Sequence, residues 1–306
     1  MIETPMDVVR DFPVRKTRRQ KTKFIEAVQS YAQRLNYQVR VEPELFGTRN
    51  VVIGDPEEAD YIITAHYDTP AMLWCPNLMM PCNVALNALC QVLNFLILML
   101  PALVVGGGVY CVTRDPATAY YSLLGAVVFS ILMMIYGIPN PHNANYNTSG
   151  VVALLEVAAS LPQNLRKRVC FVLFDREQVT MTGSAAYQYR HEPPLTFQIV
   201  MNLNSVGDGD TLVFFPSKDM EEDVHLLCLE RDCGEKQVKI HKGGRFTYIS
   251  DHSVFEQGIG VMALHKGKHG CWLKNTRTPR DKNLDYTNVN ILRACLISYL
   301  SSHAAE

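Results

Sequence analysis

The feature that most constrains this chain is a long segment almost without charge. Residues 69–155 contain only Arg114 and Asp115 of the charged residues, which number 29 basic and 30 acidic in the 306-residue sequence. The rest of the chain has the charge content of an ordinary soluble protein. The near-neutral total excludes a strongly basic nucleic-acid-binding protein, so no nucleic acid is expected as a partner. The chain therefore combines a soluble part with a segment suited to an apolar solvent.

Two uncharged apolar runs within this segment, 84–113 and 118–138, have the length of membrane-spanning helices. At about 1.5 Å per residue, the second run would form a helix roughly 31 Å long, close to the roughly 30 Å hydrocarbon core of a bilayer. Because only the turn Arg114-Asp115-Pro116 and one further residue separate the runs, we predict a transmembrane hairpin with spans at about 84–110 and 118–138. The alternative is a pair of long helices buried in a soluble core.

The predicted hairpin, residues 71–138, is inserted into one α/β domain formed by residues 1–70 and 139–306. The nine cysteines lack CxxC spacing, and the N-terminus lacks the apolar run of a secretory signal. They predict that the soluble domain lies in the reducing cytoplasm. Together with the hairpin, which has lipid as its partner, this predicts an integral protein of the cell membrane. The basic stretch from Arg15 to Lys23 has two interpretations: contact with anionic headgroups, or a solvated helix face, which we favour.

Helical and strand patterns alternate along the soluble part. Helices are predicted at 21–36, 149–161, 183–190 and 289–302, and strands at 38–41, 50–53, 61–65, 168–174, 197–202, 211–215, 238–240 and 260–264. This alternation predicts a three-layer α/β/α sandwich with a mixed, largely parallel sheet. In such folds a functional site forms beyond the carboxyl ends of the parallel strands.

Polar clusters lie at the predicted strand ends and in the loops between elements. They are AHYDTP (65–70), HNANYNTSG (142–150), FDREQ (174–178), MNLNSVGDGD (201–210), YISDH (248–252) and NTRTPRD (275–281). In order and spacing these clusters resemble the zinc-dependent aminopeptidases of peptidase family M28. The chain is most similar to a bacterial branch of that family with a transmembrane hairpin between the first two motifs. The resemblance covers nearly all of the soluble part and implies the zinc aminopeptidase-like fold.

The resemblance also implies roles for three residues. In that family five side chains hold two zinc ions, which activate water and polarise the scissile carbonyl. The His of the AHxD motif, here His66, is one of the ligands. The Asp two residues later, here Asp68, orients that His, and the first Glu of an EE pair, here Glu177, is the general base.

The other four ligand positions carry residues unsuited to zinc, namely Tyr146, Gln178, Asn204 and Arg277. Gln and Asn lack the charge of a carboxylate, neutral Tyr does not bridge two cations, and guanidinium is permanently positive and is not a ligand. We therefore predict no zinc cofactor and a catalytically inactive protein with a peptide-binding or regulatory role. Its expected partners are peptides or an active paralogue. We also expect Arg277 to pair with Glu177 or Asp68.

Two other functions remain open at the level of sequence. A rearranged or single-zinc site would make the protein an active metallo-aminopeptidase that releases N-terminal residues from peptides. Its ligands would join His66 and come from His142, Asp251, His252, His265 and His269, although no HExxH-like spacing supports this site. The third function is a structural membrane scaffold that binds no small ligand.

Overall fold

Each predicted helix and strand has a counterpart in the computed structural model, which describes residues 1–44, 47–75, 77–192, 194–221, 226, 229–242, 248–268 and 270–303. The helices are α1 (Asp7–Asp11), α2 (Arg18–Arg34), α3 (Val84–Thr113), α4 (Pro116–Tyr136), α5 (Gly150–Ser160), α6 (Glu177–Thr180), α7 (Thr182–His191) and α8 (Tyr286–His303). The strands are β1 (Val39–Pro43), β2 (Arg49–Ile53), β3 (Tyr61–His66), β4 (Val169–Phe174), β5 (Ile199–Leu203), β6 (Thr211–Pro216), β7 (Arg231–Cys233), β8 (Lys236–Ile240), β9 (Gly258–Gly267) and β10 (Gly270–Trp272). Helices α1 and α6 and strands β7 and β10 are short and were not predicted.

The strands form one mixed sheet in the order β1-β2-β4-β3-β5-β9-β6-β8-β7, with β10 paired to β9. Its four central strands, β4, β3, β5 and β9, are parallel. Antiparallel pairs flank them on both sides. Both β3 and β4 are buried along their whole length, as expected for parallel strands covered by helices on both faces. The carboxyl ends of the central strands therefore meet at one edge of the sheet.

Helices cover the sheet on two sides, which completes the predicted three layers. The larger apolar cluster contains Phe24 of α2, Leu154 of α5 and Leu296 of α8. A second cluster on the other face contains Ile62 of β3 and Tyr187 of α7. Successive side chains of a strand point to opposite faces, so β3 contributes to both clusters.

The charge-poor segment forms an antiparallel pair of helices, α3 and α4, packed along each other. Both are long and apolar enough to cross a membrane. Their large apolar side chains are mostly exposed; Phe95 is 61% exposed, Val104 69% and Phe129 63%. The alternative of two helices buried in a soluble core is therefore wrong for α3 and α4.

The base of this hairpin is fastened to the α/β domain. Ala71 and Pro139 form an isolated β-bridge, and the Met72 amide donates to the Ile138 carbonyl at 2.8 Å. Beside them, Lys16 Nζ donates to the Ile135 carbonyl in the last turn of α4 at 2.6 Å. The two ends of the insertion therefore leave the domain from one place.

The favoured interpretation of the basic stretch as a solvated helix face is wrong for Arg15, which is fully buried. Its guanidinium donates to the Tyr67 carbonyl at 2.6 Å, to Thr148 Oγ1 at 3.0 Å and to the Phe12 carbonyl. Burial lowers the pKa of Arg15 to about 10. Arg15 thus ties the N-terminal segment to the residue after β3 and to the loop before α5.

The hairpin packing gives a prediction with a matched control. A Cβ on Gly106 would lie 2.9 Å from Leu123 Cβ, whereas a Cβ on Gly107 would meet no atom within 4 Å. Gly106→Val should therefore separate the two helices and lower the free energy of unfolding by about 1–3 kcal/mol. Gly107→Val adds the same volume at an open position and should have little effect. Unfolding of both variants in the same detergent measures the difference; equal destabilisation would contradict this packing.

Candidate functional site

The residues assigned to the site come together at the carboxyl edge of the sheet. His66 ends β3 and pairs in register with Phe174, the last residue of the parallel strand β4. Glu177 and Gln178 open α6 just beyond that strand. The remaining positions lie on neighbouring connections: Asn204 after β5, Tyr146 in the loop before α5, and Arg277 between β10 and α8.

His66 is fully buried between two carboxylates. Its Nδ1 lies 3.3 Å from Asp68 Oδ1, and its Nε2 lies 3.8 Å from Glu177 Oε2. Asp68 also accepts from the backbone amides of Glu177, at 3.2 Å, and Gln178, at 3.4 Å. Asp68 therefore fixes both the imidazole and the start of α6, as a carboxylate that orients His66 should.

Glu177 Oε2 is the meeting point of three side chains. It accepts from Gln178 Nε2 at 2.7 Å and from the Tyr146 hydroxyl at 3.3 Å, and it faces His66. Burial and the charge of Glu177 raise the pKa of Tyr146 above its usual range, so the phenol stays protonated and donates. The Tyr146 ring also packs edge-on against the His66 ring, with centroids 5.4 Å apart.

Arg277 hydrogen-bonds to Gln178, so the expected direct pairing with Glu177 or Asp68 is wrong. Its Nη2 and Nε donate to Gln178 Oε1 at 2.5 and 3.2 Å. The physical reason is that an amide has both an acceptor and a donor. Gln178 turns its oxygen to the guanidinium and its NH₂ group to Glu177, and so relays the interaction between the two charges.

Asn204 is buried and uses both ends of its amide within the protein. Its Nδ2 donates to Ser250 Oγ at 3.1 Å, and its Oδ1 accepts from Ser205 Oγ at 3.1 Å. Asn204 therefore acts as a hydrogen-bonding group of the interior.

The charges of the site shift the pKa values of its members. Burial would lower the pKa of His66, but the charge of Glu177 and the hydrogen bond and charge of Asp68 raise it to about 9. Burial would raise the pKa of Asp68, but its contacts with His66 hold it at about 2. Burial and the charge of Glu177 raise the pKa of Asp251 to about 7. The site thus holds an imidazolium beside carboxylates at neutral pH.

Of the proposed substitute ligands, Asp251 is close enough to Glu177 and His66 to interact with their charges, whereas the histidines have other neighbours. Asp251 Oδ1 accepts from Ser184 Oγ at 2.6 Å, His252 stacks on Tyr248, His265 lies 3.3 Å from Asp208, and His142 lines a separate cavity with Asp281. His269 lies outside the described residues. Among the residues that the structure describes, no group of three or more His, Cys, Asp or Glu side chains is arranged to hold a metal ion.

The donor set does not fit the two-zinc site of the family pattern. Gln178 gives its oxygen to Arg277, Asn204 gives its oxygen to Ser205, and Tyr146 donates to Glu177. Zinc in proteins prefers imidazole, thiolate and carboxylate ligands, and none of these three groups is one. We therefore derive no reaction step through a metal.

Sequence reasoning missed two residues that shape the site. Asp281 accepts from the backbone amides of Asn145, at 2.7 Å, and Tyr146, at 3.0 Å, and so holds the loop that carries Tyr146. Asn147 fastens the same loop to β5, because its side chain donates to the Leu203 carbonyl at 2.9 Å. The only signal for either residue was its place in a polar cluster.

Comparison with known proteins supports the same fold. The family sequence model of peptidase family M28 matches residues 136–297 of this chain. Similar solved structures are a glutaminyl cyclase from Porphyromonas gingivalis (16% identity, 98% of this chain and 98% of that chain, TM-score 0.61) and a Zn-dependent exopeptidase from Parabacteroides distasonis (15% identity, 97% of each chain, TM-score 0.59). An aminopeptidase from Legionella pneumophila matches at 14% identity over 99% of this chain and 72% of that chain, with a TM-score of 0.58. A search of curated proteins found no match. At these identities the likeness shows the fold, and the reaction has to be argued from the site.

The pKa of His66 gives a prediction for pH dependence. Because its folded pKa, about 9, exceeds the unfolded value of 6.5, its contribution to stability is fully present below pH 6.5 and is lost as the pH rises through 9. The pKa values of Asp251 and Asp281 are raised to about 7, so their contributions to stability are also lost as the pH rises, but in a lower range, from 3.8 to 7. Metal-free protein should therefore lose stability above pH 7, in step with an imidazole titration measured by NMR.

The matched control is Asp68→Asn, which removes the charge that faces His66 Nδ1. It should lower the pKa of His66 and flatten the stability loss above pH 7. A His66 pKa at or below 6.5 in the wild-type protein would contradict the electrostatic description of the site.

Proposed function

The chain belongs to peptidase family M28, and on this premise we propose that it is a membrane-anchored member that binds peptides beside Glu177, at the carboxyl edge of its sheet, without hydrolysing them. The observation that carries the proposal is the hydrogen bond of 2.5 Å from Arg277 to Gln178. The resemblance to the family matches both residues to zinc ligands. A guanidinium beside two zinc ions would repel them, and it remains charged at any relevant pH. Replacement of a ligand by a neutral residue would only weaken a metal site. Replacement by a permanent cation also repels the metal ions directly.

The charge balance of the site supports the same proposal. Glu177 and Asp68 are negative, while Arg277 and the imidazolium of His66, with a pKa of about 9, are positive. These four charges cancel at neutral pH without a metal, and only the partly ionised Asp251, with a pKa of about 7, adds negative charge beside them. Zinc would therefore enter a nearly neutral site, and it would first have to displace the proton from His66, because only neutral imidazole is a ligand.

Peptide binding is the role that the remaining groups support. The Glu177 side chain is 11% exposed at the edge of the sheet, where ligands of such folds bind. Its carboxylate already accepts hydrogen bonds from Gln178 and Tyr146, and a peptide α-ammonium is a stronger, charged donor for the same oxygens. Tyr146 and Gln178 would then become partners of the bound peptide.

The anchoring part of the proposal rests on α3 and α4. Both helices are long and apolar enough to span a bilayer, and their exposed side chains include Leu103, Val104 and Phe129. An exposed apolar surface of this size is unfavourable in water. Insertion in the cell membrane, with the α/β domain on the cytoplasmic side, would cover it.

Restoration of the ligand set tests the loss of hydrolysis. Wild-type protein with zinc, cobalt or manganese should not hydrolyse a panel of aminoacyl-amides. The combined substitutions Tyr146→Asp, Gln178→Glu, Asn204→Asp and Arg277→His should restore stoichiometric zinc binding, measured by metal analysis, and the same variant with Glu177→Gln is the control without a general base. Metal-dependent turnover by the wild-type protein that Glu177→Gln abolishes would overturn the proposal in favour of an active aminopeptidase.

Peptide binding is tested separately by thermal unfolding of the metal-free protein. Peptides with a free N-terminus should stabilise the protein, by about 2.7 kcal/mol at a concentration of 100 times Kd. N-acetylated peptides of the same sequence should stabilise it less, and Glu177→Gln should remove the difference. If no peptide changes the stability of the wild-type protein, the scaffold function replaces the peptide-binding one.

A further inference from the structure

The functional site adjoins the base of the hairpin. Three residues separate Asp68 from Met72, whose amide donates to the Ile138 carbonyl at 2.8 Å. The next amide, that of Leu73, donates to the Arg277 carbonyl at 2.8 Å. Hydrogen bonds therefore join the first strand of the site, the hairpin and the Arg277 loop, and a hairpin in a bilayer would place the functional site next to the membrane surface.

A cavity of about 360 Å³ lies at this junction. Gln178 and Asp68 of the site form part of its wall, and Tyr136, at the end of α4, forms another part. Its cationic side chains are Lys16, Lys21 and Arg176. The cavity thus connects the functional site with the point at which α4 would leave the membrane.

Positive charge exceeds negative charge on this wall. The lining residues include Lys16, Lys21 and Arg176 but one carboxylate, Asp68, which already lies 3.3 Å from the His66 imidazole. Lys21 forms an ion pair with the buried Asp175, so the excess positive charge of the wall comes from Lys16 and Arg176. Lys16 donates to a neutral carbonyl, that of Ile135. Burial lowers the pKa of Lys16, Asp68 raises it, and the neighbouring cations Arg277 and Lys21 lower it further. A bound anion would relieve the repulsion among these cations.

The level at which these cations would lie in the membrane indicates which anion they would meet. Lys16 contacts the last turn of α4, so in an inserted hairpin its ammonium would lie at the level of the lipid headgroups. Trp74 and Tyr136 beside the hairpin base are 63% and 73% exposed, and aromatic side chains of this kind are enriched at membrane interfaces. Basic residues next to a membrane span attract anionic lipid.

We propose that this cavity binds the phosphate of an anionic phospholipid headgroup, directly beside the wall formed by Gln178 and Asp68. The inference rests on the membrane anchoring in the proposed function and is independent of the loss of hydrolysis. A lipid bound there places its phosphate against Lys16 and Arg176 and its glycerol near Tyr136.

Fluorescence quenching in vesicles tests the inference on the full chain. The sequence has two tryptophans, so a variant with Trp74→Phe, Trp272→Phe and Tyr136→Trp carries a single reporter in the wall of the cavity. In mixed vesicles of phosphatidylcholine and phosphatidylglycerol, brominated phosphatidylglycerol should quench this reporter at a lower mole fraction than brominated phosphatidylcholine. Lys16→Gln or Arg176→Gln should each reduce the apparent preference for phosphatidylglycerol about fivefold.

The matched control is Lys167→Gln. Lys167 is exposed just before the amino end of β4, at the edge of the sheet opposite the site, so its loss should leave the preference unchanged. Equal quenching by the two brominated lipids would overturn the headgroup site but not the anchoring. Absence of quenching by either lipid would contradict the anchoring as well. If inorganic phosphate stabilises the protein in phosphatidylcholine vesicles as strongly as phosphatidylglycerol does, the ligand is free phosphate and the lipid assignment is overturned.

Discussion

The site depends on the chain of contacts that runs from Arg277 through the Gln178 amide to Glu177 and on to His66. It brings a permanent cation, a neutral relay, a carboxylate and an imidazole into one cluster, in which His66 is buried and the other three side chains are half-buried. Asp68 adds a second carboxylate on the other side of His66 and fixes the start of α6. A buried charge is tolerated when it is paired and hydrogen-bonded. Here His66 and Asp68 face each other, while Arg277 and Glu177 hydrogen-bond to opposite ends of the Gln178 amide.

The way in which the hairpin is attached explains why it does not disturb the fold. The insertion leaves the domain after β3 and returns before α5, and the Ala71–Pro139 bridge closes the gap at its base. The sheet therefore retains its order, and the loop that carries Tyr146 is held by Asp281 from the Arg277 side. The consequence for function is that the end of α4 and the residues Asp68 and Gln178 of the site line the same cavity, so that the membrane would be part of the environment of any ligand.

Much of the fold could be predicted from the sequence, because its signals are local. The uncharged run 84–113 coincides with α3, and buried strands such as β3 and β4 are continuous apolar runs. The short strands β7 and β10 were missed because three residues carry too little pattern. The buried position of Arg15 was also missed, since an arginine next to five other basic residues looks like part of a solvated surface. Within the site, the family pattern identified which positions to examine, but the partner of Arg277 depended on side-chain geometry that no spacing encodes.

The central claim is that Arg277 and Gln178 occupy the place of the metal. Crystals of the wild-type protein grown with zinc, with diffraction data collected on both sides of the zinc absorption edge, test it most directly. The account predicts no anomalous peak beside His66 Nε2 and an Arg277 guanidinium hydrogen-bonded to Gln178. A zinc peak at about 2.0–2.1 Å from His66 Nε2, with Arg277 turned out of the site, would contradict it.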